Sequence, residues 1–238
     1  MIVELLLVAA LSAKTTKQVP PPPSLPQPAT PYDFRGARLG ITLGDFKQLA
    51  FPDAGEVAEK YHGTRGAQVE LACSGSSDPG FNDPKRVYAT EEFRKANGVK
   101  CMYKVPPSSS GYHSFWDDAV MMVGTVTSTD VMYLFYPDES GSVRLGDIII
   151  VANNHGFDSL AAALIGKLGP PTKTSDDDLQ NGVGNHFKST VLLWDNGVST
   201  VKLEQRHGKI SDMQLSYSNT ALSHGFYERI AAAEPPKL

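Results

Sequence analysis

Cys73 and Cys101 are the only cysteines in the 238-residue chain. Each falls in an alternating stretch that predicts a strand, 67–74 and 99–105, and each lies on the apolar phase of that alternation. Three chemistries are open to such a pair: a structural disulfide, two buried thiols, or a redox or nucleophilic sulfur. The last requires a histidine or helix N-terminus nearby to hold a thiolate, and the sequence around Cys73 offers neither. A disulfide would place the chain in an oxidising compartment.

His113, Trp116, Asp117 and Asp118 form the one short polar cluster with an aromatic beside it. An imidazole with two carboxylates could serve a hydrolase as acid, base and orienting group. The bland alternative is loop packing. The six histidines include no pair three or four residues apart, so no helical metal pair is encoded. Asp176-Asp177-Asp178, followed by Asn181 and Gly182, predicts an acidic loop over 174–186. Hard cations suit such carboxylates, but the alternating spacing and closing Glu of an EF-hand are missing. Gly182-Val183-Gly184 lacks the third glycine of a dinucleotide loop. Ser74–Ser77 and Ser108–Ser110 lack the Gly-x-Ser-x-Gly elbow. No catalytic residue, metal or cofactor is assigned.

Composition narrows the partners. Lys and Arg number 22 against 26 Asp and Glu, a net charge of −4, so no basic face for nucleic acid is expected. Apolar residues are 41% and charged residues 20%, enough for a core. Residues 2–13 are apolar except for Glu4 and Ser12, too short for the roughly 20 residues of a transmembrane helix. They predict an export signal or uncleaved anchor, although the basic flank of a signal is missing. Residues 14–31 predict a spacer holding Pro20, Pro21, Pro22, Pro23, Pro26, Pro28 and Pro31 of the 17 prolines.

The elements that must position these residues follow from periodicity. Thr42 caps a short helix, with Asp45 at its N-terminal end and Leu43, Phe46 and Leu49 on one face. Phe157, Leu160, Leu164 and Leu168 predict a helix over 157–168, stopped by Gly169 and Pro170-Pro171. Strands are expected at 120–126, 131–136 and 142–151, and a meander at 190–195, 198–205 and 210–217. Asn196-Gly197 favours a type I′ hairpin. A terminal helix covers 221–233. The order predicts an α+β fold of two helix-then-antiparallel-strand repeats, 32–152 and 153–238, with helices packed on antiparallel sheet.

The run Leu39-Gly40-Ile41-Thr42-Leu43-Gly44-Asp45-Phe46-Lys47-Gln48-Leu49 and the helix exit Lys167-Leu168-Gly169-Pro170-Pro171 carry a resemblance. They are similar to the helix entry and exit of the tandem-repeat β-lactamase inhibitor proteins and of SmpA/OmlA-type outer-membrane assembly lipoproteins. Trp194 to Gly197 resembles a hairpin common in uncharacterised exported proteobacterial proteins. The lipoprotein cysteine is absent, and 75–98 and 106–118 are insertions relative to both. The N-terminal segment, the spacer, the disulfide-capable pair and the repeat order predict a non-enzymatic exported envelope protein, periplasmic or secreted, that binds an envelope protein partner or the envelope surface. The alternatives are a hydrolase built on His113, Asp117 and Asp118, and an anchored structural component without a specific ligand.

Overall fold

The computed structural model describes residues 29–51, 69–75, 86–106, 116–180 and 182–233. The export segment and most of the spacer lie outside them. The chain opens with the hairpin β1 (Asp33–Phe34) and β2 (Ala37–Arg38). Its two-residue turn is Arg35-Gly36, with φ of 52° and 86°. Both central residues are left-handed, as a type I′ turn demands. The short helix α1 (Leu43–Phe46) follows. Thr42 Oγ1 accepts from the Asp45 N–H at 3.1 Å and donates to the Asp45 carboxylate at 2.7 Å, so the expected cap forms.

One antiparallel sheet dominates the rest. Its strands are β3 (Glu70–Cys73), β4 (Val99–Val105), β5 (Asp117–Asp118), β6 (Met122–Val123), β7 (Val126–Pro137), β8 (Val143–Asn153), β9 (Lys173–Gln180), β10 (His186–Asp195), β11 (Ser199–Glu204) and β12 (Asp212–Asn219). The spatial order is β3-β4-β7-β8-β12-β11-β10-β9, with β5 on β4 and β6 on β7. Three more α-helices lie among the described residues: α2 (Glu91–Lys95), α3 (Phe157–Leu168) and α4 (Thr220–Ala233).

This overturns the expected α+β class. Of the described residues 45% are in strands and 23% are helical. Helix α1 is a single turn of 4 residues, with nothing of the 12-residue length of α3. The strands before and after α3 are not two packed units either. They merge through β8·β12 pairing, from Asp212↔Asn153 to Ser218↔Asp147, into one ten-stranded sheet. The protein is mostly β, with short helices laid on the sheet.

Alternation along the strands explains what lies where. One face carries Tyr103, Tyr133, Phe135, Ile148, Ile150, Trp194, Val201, Leu203, Leu215 and Tyr217, all at most 7% exposed. Onto it pack α1, α3 and the β1–β2 hairpin. Phe46 of α1 sets its ring 4.7 Å from Tyr133 and 5.1 Å from Phe135, centroid to centroid. Full burial of such a side chain is worth ~1.5–3 kcal/mol. Helix α3 buries Phe157, Leu160 and Leu164. Its end is tied to the sheet by Trp194, whose indole N–H donates to the Gly169 carbonyl at 2.8 Å. The opposite face is covered over β7 and β8, where Leu134, Tyr136 and Phe226 of α4 make a second core with Phe93 of α2.

The β10–β11 hairpin is present, but its turn is not type I′. Asp195 pairs with Thr200, and β11 begins at Ser199. Only Gly197, at φ 84°, is left-handed. Asn196 instead accepts the Val198 and Ser199 N–H groups on its side-chain oxygen, at 3.2 and 2.9 Å. That local bonding holds a longer loop.

Candidate functional site

Cys73 and Cys101 are directly opposed in β3·β4 and form a disulfide. The adjacent pair is bonded across the ladder, Ser74 N–H to the Lys100 carbonyl at 2.7 Å. The cysteines therefore occupy the intervening non-hydrogen-bonded pair, where side chains approach most closely. Cys101 is fully buried in the main core.

The polar cluster read from sequence is distributed differently. His113 lies outside the described residues. Trp116 precedes β5, and Asp117 and Asp118 are consecutive on that strand, so their side chains leave on opposite sides. Asp118 is opposite Lys104 and ion-pairs with its ammonium. The aspartate run is not a loop: Asp176, Asp177 and Asp178 lie in β9, paired with Thr190, Ser189 and Lys188. Strand alternation separates their carboxylates, and no metal-holding cluster occurs among the described residues. His186, His207 and His224 are apart from one another, each 3.3–3.4 Å from a different carboxylate.

Sequence reasoning passed over a buried polar network under α4. Asp147 is only 6% exposed, the one carboxylate inside the apolar run of β8. That isolated charge is a signal the sequence does carry. It accepts from the Tyr136 hydroxyl and from Ser223 Oγ at 2.7 Å. Tyr136 is in turn 3.1 Å from the Tyr227 hydroxyl. Burial drives the Asp147 carboxyl above its ordinary 3.8, against the opposing effect of its hydroxyl donors Tyr136, Ser223 and Ser218. Burial, then the Asp147 charge, raises the Tyr136 phenol as well. Since α4 supplies Ser223 and Tyr227, the network locks the terminal helix to the sheet.

The sign of its pH dependence is set by that upward displacement. Stability from Asp147 is complete below 3.8 and declines as pH rises through the native value, because the unfolded chain ionises first. Asp147→Asn removes that decline. Urea titrations of both proteins from acid to neutral pH should show the wild type losing more stability than the variant over the same interval. Parallel curves would contradict the assignment.

Beside the network, α2, the β7–β8 turn and α4 enclose a groove of about 860 Å³ lined by Glu92, Lys95, Asp138, Glu139, Arg229 and Ile230. Most of its charges are already engaged. Lys95 pairs with Glu91 at 2.6 Å, Asp138 with Arg144 at 2.6 Å, and Arg229 donates to the Pro137 carbonyl at 3.0 Å. Hydrogen bonds from Ser140 and Arg144 bring the Asp138 carboxyl down to about 2.

Backbone groups turned away from the sheet are found at its far edge. Among the described residues β9 has one strand neighbour, β10. The Gln205 N–H bonds the Thr190 carbonyl and the Asn196 N–H bonds the Ser199 carbonyl, so even-numbered residues of β10 face β11. Ser189, Val191 and Leu193 then bond Asp177, Ser175 and Lys173. The backbone N–H and C=O of Thr174, Asp176, Asp178 and Gln180 consequently point outward along an eight-residue strand.

Compared with known proteins, the chain matches no protein family, no curated protein and no solved structure. The likeness to envelope inhibitor and lipoprotein families rests on the motif residues alone. The disulfide fits an exported protein, and no described helix is long and apolar enough to cross a membrane.

Proposed function

We propose that the protein is an exported, non-catalytic binding module that takes an extended segment of a partner protein along β9. The observation that carries this reading is the outward row of backbone donors and acceptors on a long edge strand. Such an edge templates a further strand. Its chemistry also selects the occupant. A second copy of β9 laid antiparallel would set aspartates against aspartates, which suppresses self-pairing. A strand bearing Lys or Arg meets Asp176 and Asp178 on one face and Asp177 on the other.

The reading is tested by fluorescence anisotropy with a labelled peptide of alternating Lys and Val, against its Glu-Val counterpart. The Lys peptide should bind and the Glu peptide should not. Asp178→Pro removes an outward N–H without touching a β9·β10 bond and should weaken binding by up to about tenfold, the upper end of one neutral backbone hydrogen bond. Asp177→Lys should weaken it through charge alone. Equal binding of both peptides, or an unaffected proline variant, refutes the edge as the site.

A further inference from the structure

Lys100 is an unusual residue for the middle of this sheet. It is directly opposite Leu134 of β7 and so projects from the face opposite the main core. There it enters a pocket of about 210 Å³. Met132 and Leu134 of β7 and Phe93 of α2 line it. Tyr88 and Tyr227 line the same pocket, 59% and 48% exposed. They are the two aromatic side chains among the large hydrophobic residues left exposed in the described chain. Lys100 is the only formally charged group among the described residues of the lining. No carboxylate of the described residues ion-pairs with it, and Asp118, the first of the acids that act on it at longer range, is engaged by Lys104. The other is Asp130. The Arg86 guanidinium lies 5.7 Å from the Tyr88 ring.

We propose that this pocket binds a small organic acid, a carboxylate carried on one aromatic ring or a short hydrocarbon chain. An ammonium set in apolar walls loses hydration that a carboxylate restores. The exposed tyrosines supply flat apolar area for the body of the ligand. The volume is below the ~300–1,000 Å³ typical of drug-sized sites, which limits the ligand to a single ring or its equivalent. Burial already lowers the Lys100 ammonium from its usual value, consistent with a cation short of partners. This site is on a different part of the molecule from β9 and stands whether or not that edge binds a strand.

The test compares 3-phenylpropionate with 3-phenylpropionamide on the wild-type protein, followed by amide chemical shifts in NMR titration. The acid should saturate with shifts centred on Lys100, Leu134 and Tyr227, and bind about tenfold more tightly than the amide, the worth of one charge-assisted bond. Lys100→Gln should erase that preference while leaving the spectrum of the fold intact. Tyr88→Ala should weaken acid and amide alike. A Gly-Gly-Phe peptide with a free C-terminus forms a second arm: tighter binding than the free acid assigns the carboxylate to a chain terminus, weaker binding to a metabolite-sized acid. Equal affinity for acid and amide, no saturation at millimolar acid, or an unchanged preference in Lys100→Gln would overturn the proposal.

Discussion

Gly146→Ala should destabilise the protein by about 3 kcal/mol or more, the upper range for overpacking a filled core. Gly146 lies within β8 where the register with β7 shifts between Leu134 and Phe135. A methyl group built there overlaps the ring of Tyr136. The ring has nowhere to retreat. It is fully buried, stacked on Phe226 at 4.1 Å and 12°, and its hydroxyl is held by Asp147. Relief requires either the β7–β8 ladder or α4 to move. Urea denaturation should show a lowered midpoint, and hydrogen exchange should show lost protection in α4. Gly166→Ala provides the contrast. That glycine is exposed on α3 with nothing within 4 Å of a new methyl group, so the same change should stabilise by ~0.5–1 kcal/mol. Two alanine variants of like sign would mean that Tyr136 does not pack against β8 as described.

Loss of the Cys73–Cys101 bridge should cost nearly as much again. The sequence separation is 28. The loop-closure estimate for that span is ~3.6 kcal/mol of stability. At about 2–4 °C per kcal/mol for a chain of this size, the melting temperature should fall by about 7–14 °C. Thermal melts with and without reductant, and of the Cys73→Ser/Cys101→Ser double variant, measure it. The damage should be local first, because β3 has four residues and, among the described residues, one strand neighbour, β4. Hydrogen exchange in β3 should rise before that of β8 or β12. If reduced and oxidised proteins melt together, the bridge is not holding this edge.

Helix α3 is legible in the sequence because three cues coincide: the spacing of Phe157, Leu160, Leu164 and Leu168, the glycine at its end, and the two prolines beyond. The cystine was legible as one of three outcomes, since two strands can be read but not the register that opposes them. Strand β9 was not legible. Lys173-Thr174-Ser175-Asp176-Asp177-Asp178 has no apolar alternation, and its conformation is imposed by pairing with β10. The class of the fold was missed for a related reason. Continuity of the sheet depends on Leu215 meeting Ile150 and Tyr217 meeting Ile148, contacts between distant stretches that no local pattern announces. At the Lys100 pocket, alternation places Lys100 opposite in phase to Cys101 and Tyr103. Its walls, however, come from Tyr88, Phe93, Met132 and Tyr227, which only the folded sheet brings together.

The β8·β12 seam has a consequence for how the chain is made. The last strand in sequence occupies the middle of the sheet, and β8 must wait for residues 212–219 before its second edge is covered. A chain emerging from its N-terminus cannot complete this core until nearly all of it is available. Assembly then depends on a pairing of long sequence separation, which slows folding. Late closure would suit the export proposed above, because this sheet stays unfinished until residues 212–219 can pair with β8.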